Sequence, residues 1–288
     1  MSGKRGSRIR ERADPKLIDE NYVVESRITE TGRKIIDLVY EMRAIKTKDI
    51  ITILGAGQRY IQKVLQDLYE KRFLDRRFPQ SYLGEGSSQA IYFLDEAGKI
   101  FIAGSRRMDL KQVKWRKREN LIYGPELQHT LGIAGVRATL TEAARKRGGE
   151  IKDFRGDTST RITFNYEAQE FIFEADAFLT YKEEKTLFDY FLEFDRGTMT
   201  IQNFTDKINH YEAFYLSGEY KTMYEAYPVI MVITTSMARA RHMVEEVKKR
   251  RTEKDIIYLF TSLDDFEKDT FGKIYITDNL GQKVSILD

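Results

Sequence analysis

From Thr31 onward the apolar positions recur with a helical period: Ile35, Ile36, Val39, Tyr40 and Met42 fall mostly on one face. A short second helix fits Thr47 to Leu54, with Thr47 as its N-cap, and Gly55-Ala56-Gly57 breaks it. The spacing of Tyr60, Ile61, Val64, Leu65 and Leu68 predicts a third helix from about Gln58 to Lys71. The period then drops to two. Phe73 to Phe78 reads as a strand, Gly84-Glu85-Gly86-Ser87-Ser88 as a turn, and Ala90 to Leu94 as the returning strand, ended by Asp95-Glu96-Ala97-Gly98. Three helices and a β-hairpin follow the order of a winged helix-turn-helix over residues 29–104, with the wing around 79–89. Residues 1–28 lack sustained periodicity and read as a flexible basic arm, and 105–125 as a basic linker that carries the sole tryptophan, Trp115.

The second half, 126–288, begins with a helix from Glu126 to Arg147, closed by Gly148-Gly149. Strands are expected at Arg161 to Tyr166, Glu170 to Thr180 and Thr186 to Phe194, with Lys182 to Lys185 as the polar turn between the last two. A helix follows from Asn203 to Ser217, then an apolar strand from Pro228 to Thr234, a helix from Met237 to Lys249 and a last strand from Asp255 to Thr261. The fold class read from this order is α/β (α+β), with a mixed sheet flanked by helices.

Composition narrows the chemistry. The chain has no cysteine, which excludes disulfides, thiolate zinc sites, iron–sulfur clusters and cysteine nucleophiles. Its three histidines, His129, His210 and His242, form no H-x-H or H-E-x-x-H motif. No phosphate-cradling Gly-Lys-Ser/Thr loop is present. The apolar run from Pro228 to Ile233 is too short to span a bilayer, so a cytoplasmic protein without membrane contact is expected. The net charge of +3 conceals an asymmetry, +10 over residues 1–150 and −7 over the rest. Lys4, Arg5, Arg8, Arg10 and Arg12 crowd the start; Arg106, Arg107, Lys111, Lys114, Arg116, Lys117 and Arg118 crowd a second segment. The runs suit either a solvated arm and linker or a polyanion, and double-stranded DNA is the expected partner. Gln58, Arg59, Gln62 and Lys63 sit at the start of the third helix, where helix-turn-helix proteins touch base edges, and Arg72, Arg76 and Arg77 extend the same basic surface. Winged helices also serve as protein-docking modules.

Two acids stand out because their strands are otherwise apolar: Asp176 after Phe171-Ile172-Phe173, and Glu193 within Phe188 to Phe194. With Lys182 to Lys185 as the loop, Tyr181 pairs with Thr186, Asp176 lies opposite Phe191, and Glu174 lies opposite Glu193. Asp176 and Glu193 then become diagonal neighbours on one face, roughly 5–8 Å apart. Like charges buried together call for a cation, and hard oxygen ligands suit Mg²⁺ or Mn²⁺. The alternative is a pair of strand-end acids facing solvent. Asp195-Arg196 reads as a further acid or as a local ion pair and turn; Lys207, at the start of the next helix, is placed to stabilise developing charge; Tyr211, by its spacing from Phe204 and Ile208, is expected to pack.

Glu174-Ala175-Asp176-Ala177-Phe178, Leu192-Glu193-Phe194-Asp195-Arg196-Gly197-Thr198, Lys207, Tyr211 and Tyr227-Pro228-Val229 together resemble the replication-relaxation family, which is similar to MobC-type plasmid relaxases. The segment from His129 to Ala144 resembles the family's first core helix. The resemblance implies a winged helix joined to a nuclease-like domain of the PD-(D/E)XK type, a restriction-endonuclease-like fold. It maps Asp176 and Glu193 to the two metal-binding acids. Ala175 stands where the family has proline, and Asp195 where it has the catalytic lysine, a role Lys207 could take from the helix. The resemblance implies a DNA-processing protein of a mobile element that binds an origin or transfer site and nicks it with Asp176, Glu193, Asp195, Lys207 and a divalent ion. A homodimer and replication or conjugation proteins are its expected partners. The alternative is a catalytically inactive DNA-binding accessory or regulator on the same scaffold, which Asp195 favours.

Overall fold

The computed structural model describes residues 12–79, 89–197, 199–278 and 282–287. Most of the basic start (Lys4, Arg5, Arg8, Arg10), the Gly/Ser turn read as the wing and Thr198 lie outside the described residues. Contacts divide the chain into two units, 1–134 and 135–288. Among the described residues no helix is long and apolar enough to cross a membrane.

The first unit holds α1 (Glu20–Glu25), α2 (Glu30–Met42), β1 (Ile45–Lys46), α3 (Thr47–Leu54), α4 (Gln58–Glu70), β2 (Leu74–Arg77), β3 (Ile91–Leu94) and α5 (Glu96–Arg106). The Thr29 hydroxyl caps α2 by accepting from the Gly32 N–H at 3.1 Å, and the helix buries Ile35, Ile36, Leu38, Val39 and Met42. Gly55, in the left-handed region at φ 62°, ends α3, and α4 buries Ile61, Val64, Leu65 and Leu68 beneath it. The strands form an antiparallel sheet in the order β1-β3-β2. The three helices and hairpin read from the sequence are therefore present in that order.

Several details differ from the sequence reading. Thr47 is the first helical residue of α3 rather than its cap, and its hydroxyl donates to the Ala90 carbonyl at 3.2 Å. Asp95 to Gly98 ends the strand as read, and α5 starts within it at Glu96. Gly98 is needed for close approach: a Cβ at this position would lie 2.2 Å from the Phe73 carbonyl oxygen. Residues 12–26, read as arm, pack on this unit. Arg12 donates to the carbonyls of Tyr69 (3.0 Å) and Leu74 (2.9 Å) and to buried Asp95 (2.7 Å). The 105–125 segment, read as linker, contains buried Val113, Trp115 and Ile122. Trp115 Nε1 donates to Asn120 Oδ1 at 3.0 Å, and Asn120 Nδ2 donates to the Leu94 carbonyl at 2.8 Å. Charge on the outward positions hid this apolar footing.

Helix α6 (Gly124–Arg147) gives its first residues to this unit and the remainder to the second. The second unit continues with β4 (Glu150–Gly156), α7 (Asp157–Thr160), β5 (Ile162–Tyr166), β6 (Gln169–Phe173), β7 (Ala177–Glu183) and β8 (Thr186–Asp195). It ends with α8 (Ile201–Ser217), β9 (Val229–Thr234), α9 (Met237–Arg250), β10 (Tyr258–Ser262) and α10 (Leu263–Lys268). The main sheet runs β10-β9-β8-β7-β4, with β8, β9 and β10 parallel and β7 antiparallel to both β8 and β4. This is the mixed sheet flanked by helices that the sequence predicts; β4 and α10 are additions to it. The central strands are buried on both faces, which is why β9 reads as a continuous apolar run.

The strand expected from Glu170 to Thr180 is two strands. Its first half, β6, pairs with β5 in a separate hairpin that lies against α8, where Phe173 and Phe214 stack at 4.5 Å. The chain breaks at residues 174–176, where the Thr160 hydroxyl takes the Ala175 carbonyl and Arg161 pairs with Glu174 at 3.6 Å. The β7–β8 register also differs. Glu183 pairs with Thr186 and Tyr181 with Phe188, because Glu184 takes a left-handed φ of 54° and closes a two-residue turn. Lys182 and Glu183 stay in the ladder. A shift of two residues preserves every face, and Asp176, just before the first ladder pair Ala177↔Leu192, lies beside the end of β8, where its carboxylate accepts from the Phe194 N–H at 2.8 Å.

Candidate functional site

Alternation along β8 places Phe191, Glu193 and Asp195 on one face, and α8 crosses that face. Thr200 caps α8, accepting from the Asn203 N–H at 3.1 Å, and so fixes where its first turns lie. Lys207 and Tyr211 are one helical turn apart on α8, and both reach Glu193. Lys207 Nζ donates to Glu193 Oε2 and, at 3.3 Å, to Asp176 Oδ1. The Tyr211 hydroxyl donates to Glu193 Oε1 at 2.6 Å. The Phe194 N–H donates to Asp176 Oδ2 at 2.8 Å. Asp176, Glu193 and Lys207, grouped as one site in the sequence, thus form one cluster.

Burial grades across it. Glu193 is 1% exposed, while the side chains of Asp176 and Lys207 keep 15% and 28% of their surface, so the cluster opens to solvent on that side. Burial pushes the Glu193 carboxyl up to about 7, with Lys207 pulling it down and Asp176 adding to the rise. Burial works against the Lys207 ammonium, yet Glu193 and Asp176 raise its pKa overall. Tyr211 is raised well above an ordinary phenol, first by burial and then by the Glu193 charge. The arrangement is an ammonium held between two carboxylates, with a neutral phenol as donor beneath.

The donor set bears on a metal ion. Asp176 Oδ1 and Glu193 Oε2 already converge on a single cation, the lysine ammonium. Two carboxylate oxygens of this kind are donors of the type that suits Mg²⁺ or Mn²⁺, whose shell water can complete. Among the described residues no group of three or more His, Cys, Asp or Glu is placed to hold a metal.

Asp195 belongs to a different constellation. Its carboxylate binds Arg239 Nε, Arg239 Nη2 (3.1 Å), the Thr234 hydroxyl (2.7 Å) and the Gly197 N–H (3.0 Å). Burial pushes it up, but Arg239 and Thr234 more than offset this, and its pKa lies below the usual range. Asp195 ties the end of β8 to β9 and α9. For Tyr211 the sequence predicts packing alone. Its ring does pack against Phe173 at 5.1 Å, and its hydroxyl serves the site as well. The four-residue spacing from Lys207 is the sequence signal for this second role.

The basic residues separate into two sets. Gln58, Arg59, Gln62 and Lys63 are exposed along the first half of α4. Arg107, Lys114, Arg116, Lys117 and Arg118 are also exposed, Lys117 while paired with Glu96 at 3.4 Å. Arg106 instead pairs with Asp37 (3.4 Å) and Glu41 (3.3 Å) on α2. Arg76 donates to Gln66 at 2.6 Å, and Arg77 donates to the Ile122 carbonyl at 2.8 Å. These three support the fold as well as adding charge.

Compared with known protein families, residues 36–230 match the one described as replication-relaxation. No curated protein and no solved structure matches the chain.

Proposed function

The chain belongs to the replication-relaxation family, and on that premise we propose that it processes DNA of a mobile element, binding an origin or transfer site and nicking one strand with a divalent metal ion. The convergence of Asp176 Oδ1 and Glu193 Oε2 on one cation carries the catalytic part of this reading. A bound Mg²⁺ or Mn²⁺ would supply an activated water and stabilise the leaving oxygen. Asp176 and Glu193 would hold it, each oriented by a fixed donor, the Phe194 N–H and the Tyr211 hydroxyl. Lys207 brings from α8 the positive charge that position 195 lacks, next to where negative charge would build on a scissile phosphate. Asp195 acts as a positioning residue for the turn that follows β8.

Support for the binding part comes from the first unit. The helix order, the exposed Gln58, Arg59, Gln62 and Lys63 on α4, and the +8 charge of residues 1–134 suit a winged helix on duplex DNA. A second reading, a non-catalytic accessory protein, draws on one observation: the four oxygens of Asp176 and Glu193 all have partners within the chain.

Nicking of supercoiled plasmid decides between them. Wild type should convert it to open circles with Mg²⁺ or Mn²⁺, and not with chelator. Asp176→Asn should abolish nicking at unchanged DNA affinity, and Lys207→Ala should slow it. DNA binding without nicking under any metal would establish the accessory reading.

A further inference from the structure

Two stacks of alternating cations and rings flank β2. Successive strand residues face opposite sides, so Arg76 and Arg77 belong to different stacks. On one side the Tyr69 ring lies between the guanidinium groups of Arg12 (4.1 Å) and Arg76 (4.0 Å), and Arg76 also meets Phe78 at 5.4 Å. On the other, Arg77 lies between Phe93 (4.8 Å) and Tyr123 (4.3 Å). Both arginines are held in place by hydrogen bonds, Arg76 to Gln66 and Arg77 to the carbonyls of Asn120 and Ile122. Each stack ends in a ring left open to water, Phe78 at 57% and Tyr123 at 62% exposure.

The Tyr123 side borders a cleft of about 510 Å³ lined also by Leu121, Lys117, Arg118 and Phe93. Leu121 is 63% exposed. Among the described residues the single acid on this wall, Asp75, is paired with Arg12 at 3.3 Å. A rigidly supported aromatic face beside exposed cations matches a flat apolar group joined to a phosphate. In duplex DNA base faces are covered by their neighbours, so only an unpaired nucleotide offers such a face. We propose that this cleft binds unpaired nucleotides of single-stranded DNA, with Tyr123 as the stacking platform and Lys117 and Arg118 on the phosphates. The inference rests on the DNA-processing reading for its ligand and is independent of cleavage. It gives the first unit a grip on a melted or nicked strand beside its duplex surface.

The test uses the full chain and fluorescence anisotropy with three labelled probes: oligothymidylate of about 16 nucleotides, a blunt duplex, and the same duplex with a thymidylate overhang. Wild type should bind the overhang duplex more tightly than the blunt one, and should bind the oligothymidylate. Tyr123→Ala should weaken binding of both single-stranded probes by roughly tenfold, as the loss of one base stack implies, whereas Phe78→Ala, on the other side of β2, should leave it unchanged. Blunt-duplex affinity should stay unchanged in both variants, and Tyr123→Trp should restore the loss. Unchanged oligothymidylate affinity in Tyr123→Ala overturns the proposal, as does an equal loss on the blunt duplex. Wild type that binds the blunt duplex but not oligothymidylate also overturns it and leaves the DNA-processing reading standing. Failure to bind any of the three probes sinks both.

Discussion

Glu193 has to be buried and charged or buried and neutral, and its two partners on α8 suit either state: Lys207 neutralises the anion, and the Tyr211 hydroxyl can donate to it. Its folded pKa of about 7 lies above the ordinary 4.5, so the folded state favours the protonated form. That contribution to stability is complete below about pH 4.5 and is lost as pH rises through 7. Urea unfolding of the metal-free protein should therefore show stability falling between about pH 5 and about pH 8, and Glu193→Gln should flatten this part of the profile. Millimolar Mg²⁺ or Mn²⁺ should offset the loss at the alkaline end if the carboxylates bind it, since a ligand specific to the folded state stabilises it. Tyr211→Phe keeps the ring packing and removes one donor from a buried carboxylate. It should cost about 1–3 kcal/mol in the same measurement.

At the scale of elements, the site depends on the exit from β8. The strand ends at Asp195, Gly197 turns the chain at φ 80°, and Thr200 opens α8, all within a few residues of Glu193. Asp195 holds this turn by binding Arg239 of α9 and Thr234 of β9, and Arg239 also donates to the Met199 carbonyl at 2.6 Å. Removing the arginine leaves a buried carboxylate without its counter-charge. Arg239→Ala should destabilise the protein by about 3–5 kcal/mol, read as a lower urea midpoint. The double variant with Asp195→Ala should lose less than the two single changes added together, because the residues touch one another. Tertiary structure, more than helix propensity, thus sets the direction in which Lys207 and Tyr211 point.

For the molecule as a whole, the charge asymmetry assigns the two halves different work. The +10 of residues 1–150 favours a polyanion, and the −7 of the remainder works against broad DNA binding outside the carboxylate cluster. Affinity of the full chain for duplex DNA should fall steeply with salt. Arg59→Ala with Lys63→Ala should reduce the slope of log K against log salt by about 2, near 1 for each phosphate that is no longer neutralised. Arg106→Ala should change the slope little, because Asp37 and Glu41 already hold that side chain. Filter binding or anisotropy across a salt series measures both.

Local periodicity and composition were enough for several features. The amphipathic faces of α2 and α4, the apolar run of β9, and the shared face of Phe191, Glu193 and Asp195 follow from side-chain spacing alone, and the structure keeps them. The candidate acids were legible because charge in an apolar strand is costly and therefore conspicuous. Tertiary structure decided what depends on partners distant in the chain. A two-residue turn at Glu184 set the β7–β8 register that leaves Asp176, just before β7, beside the end of β8, a choice between loop lengths that the polar stretch from Lys182 to Lys185 left open. Arg239, 44 residues beyond Asp195, took that acid out of the cluster. Packing under β3 turned the charged 105–125 stretch into part of the first unit through Trp115 and Asn120. In each case the local pattern allowed more than one arrangement, and burying a charge or an indole against a specific distant group selected among them.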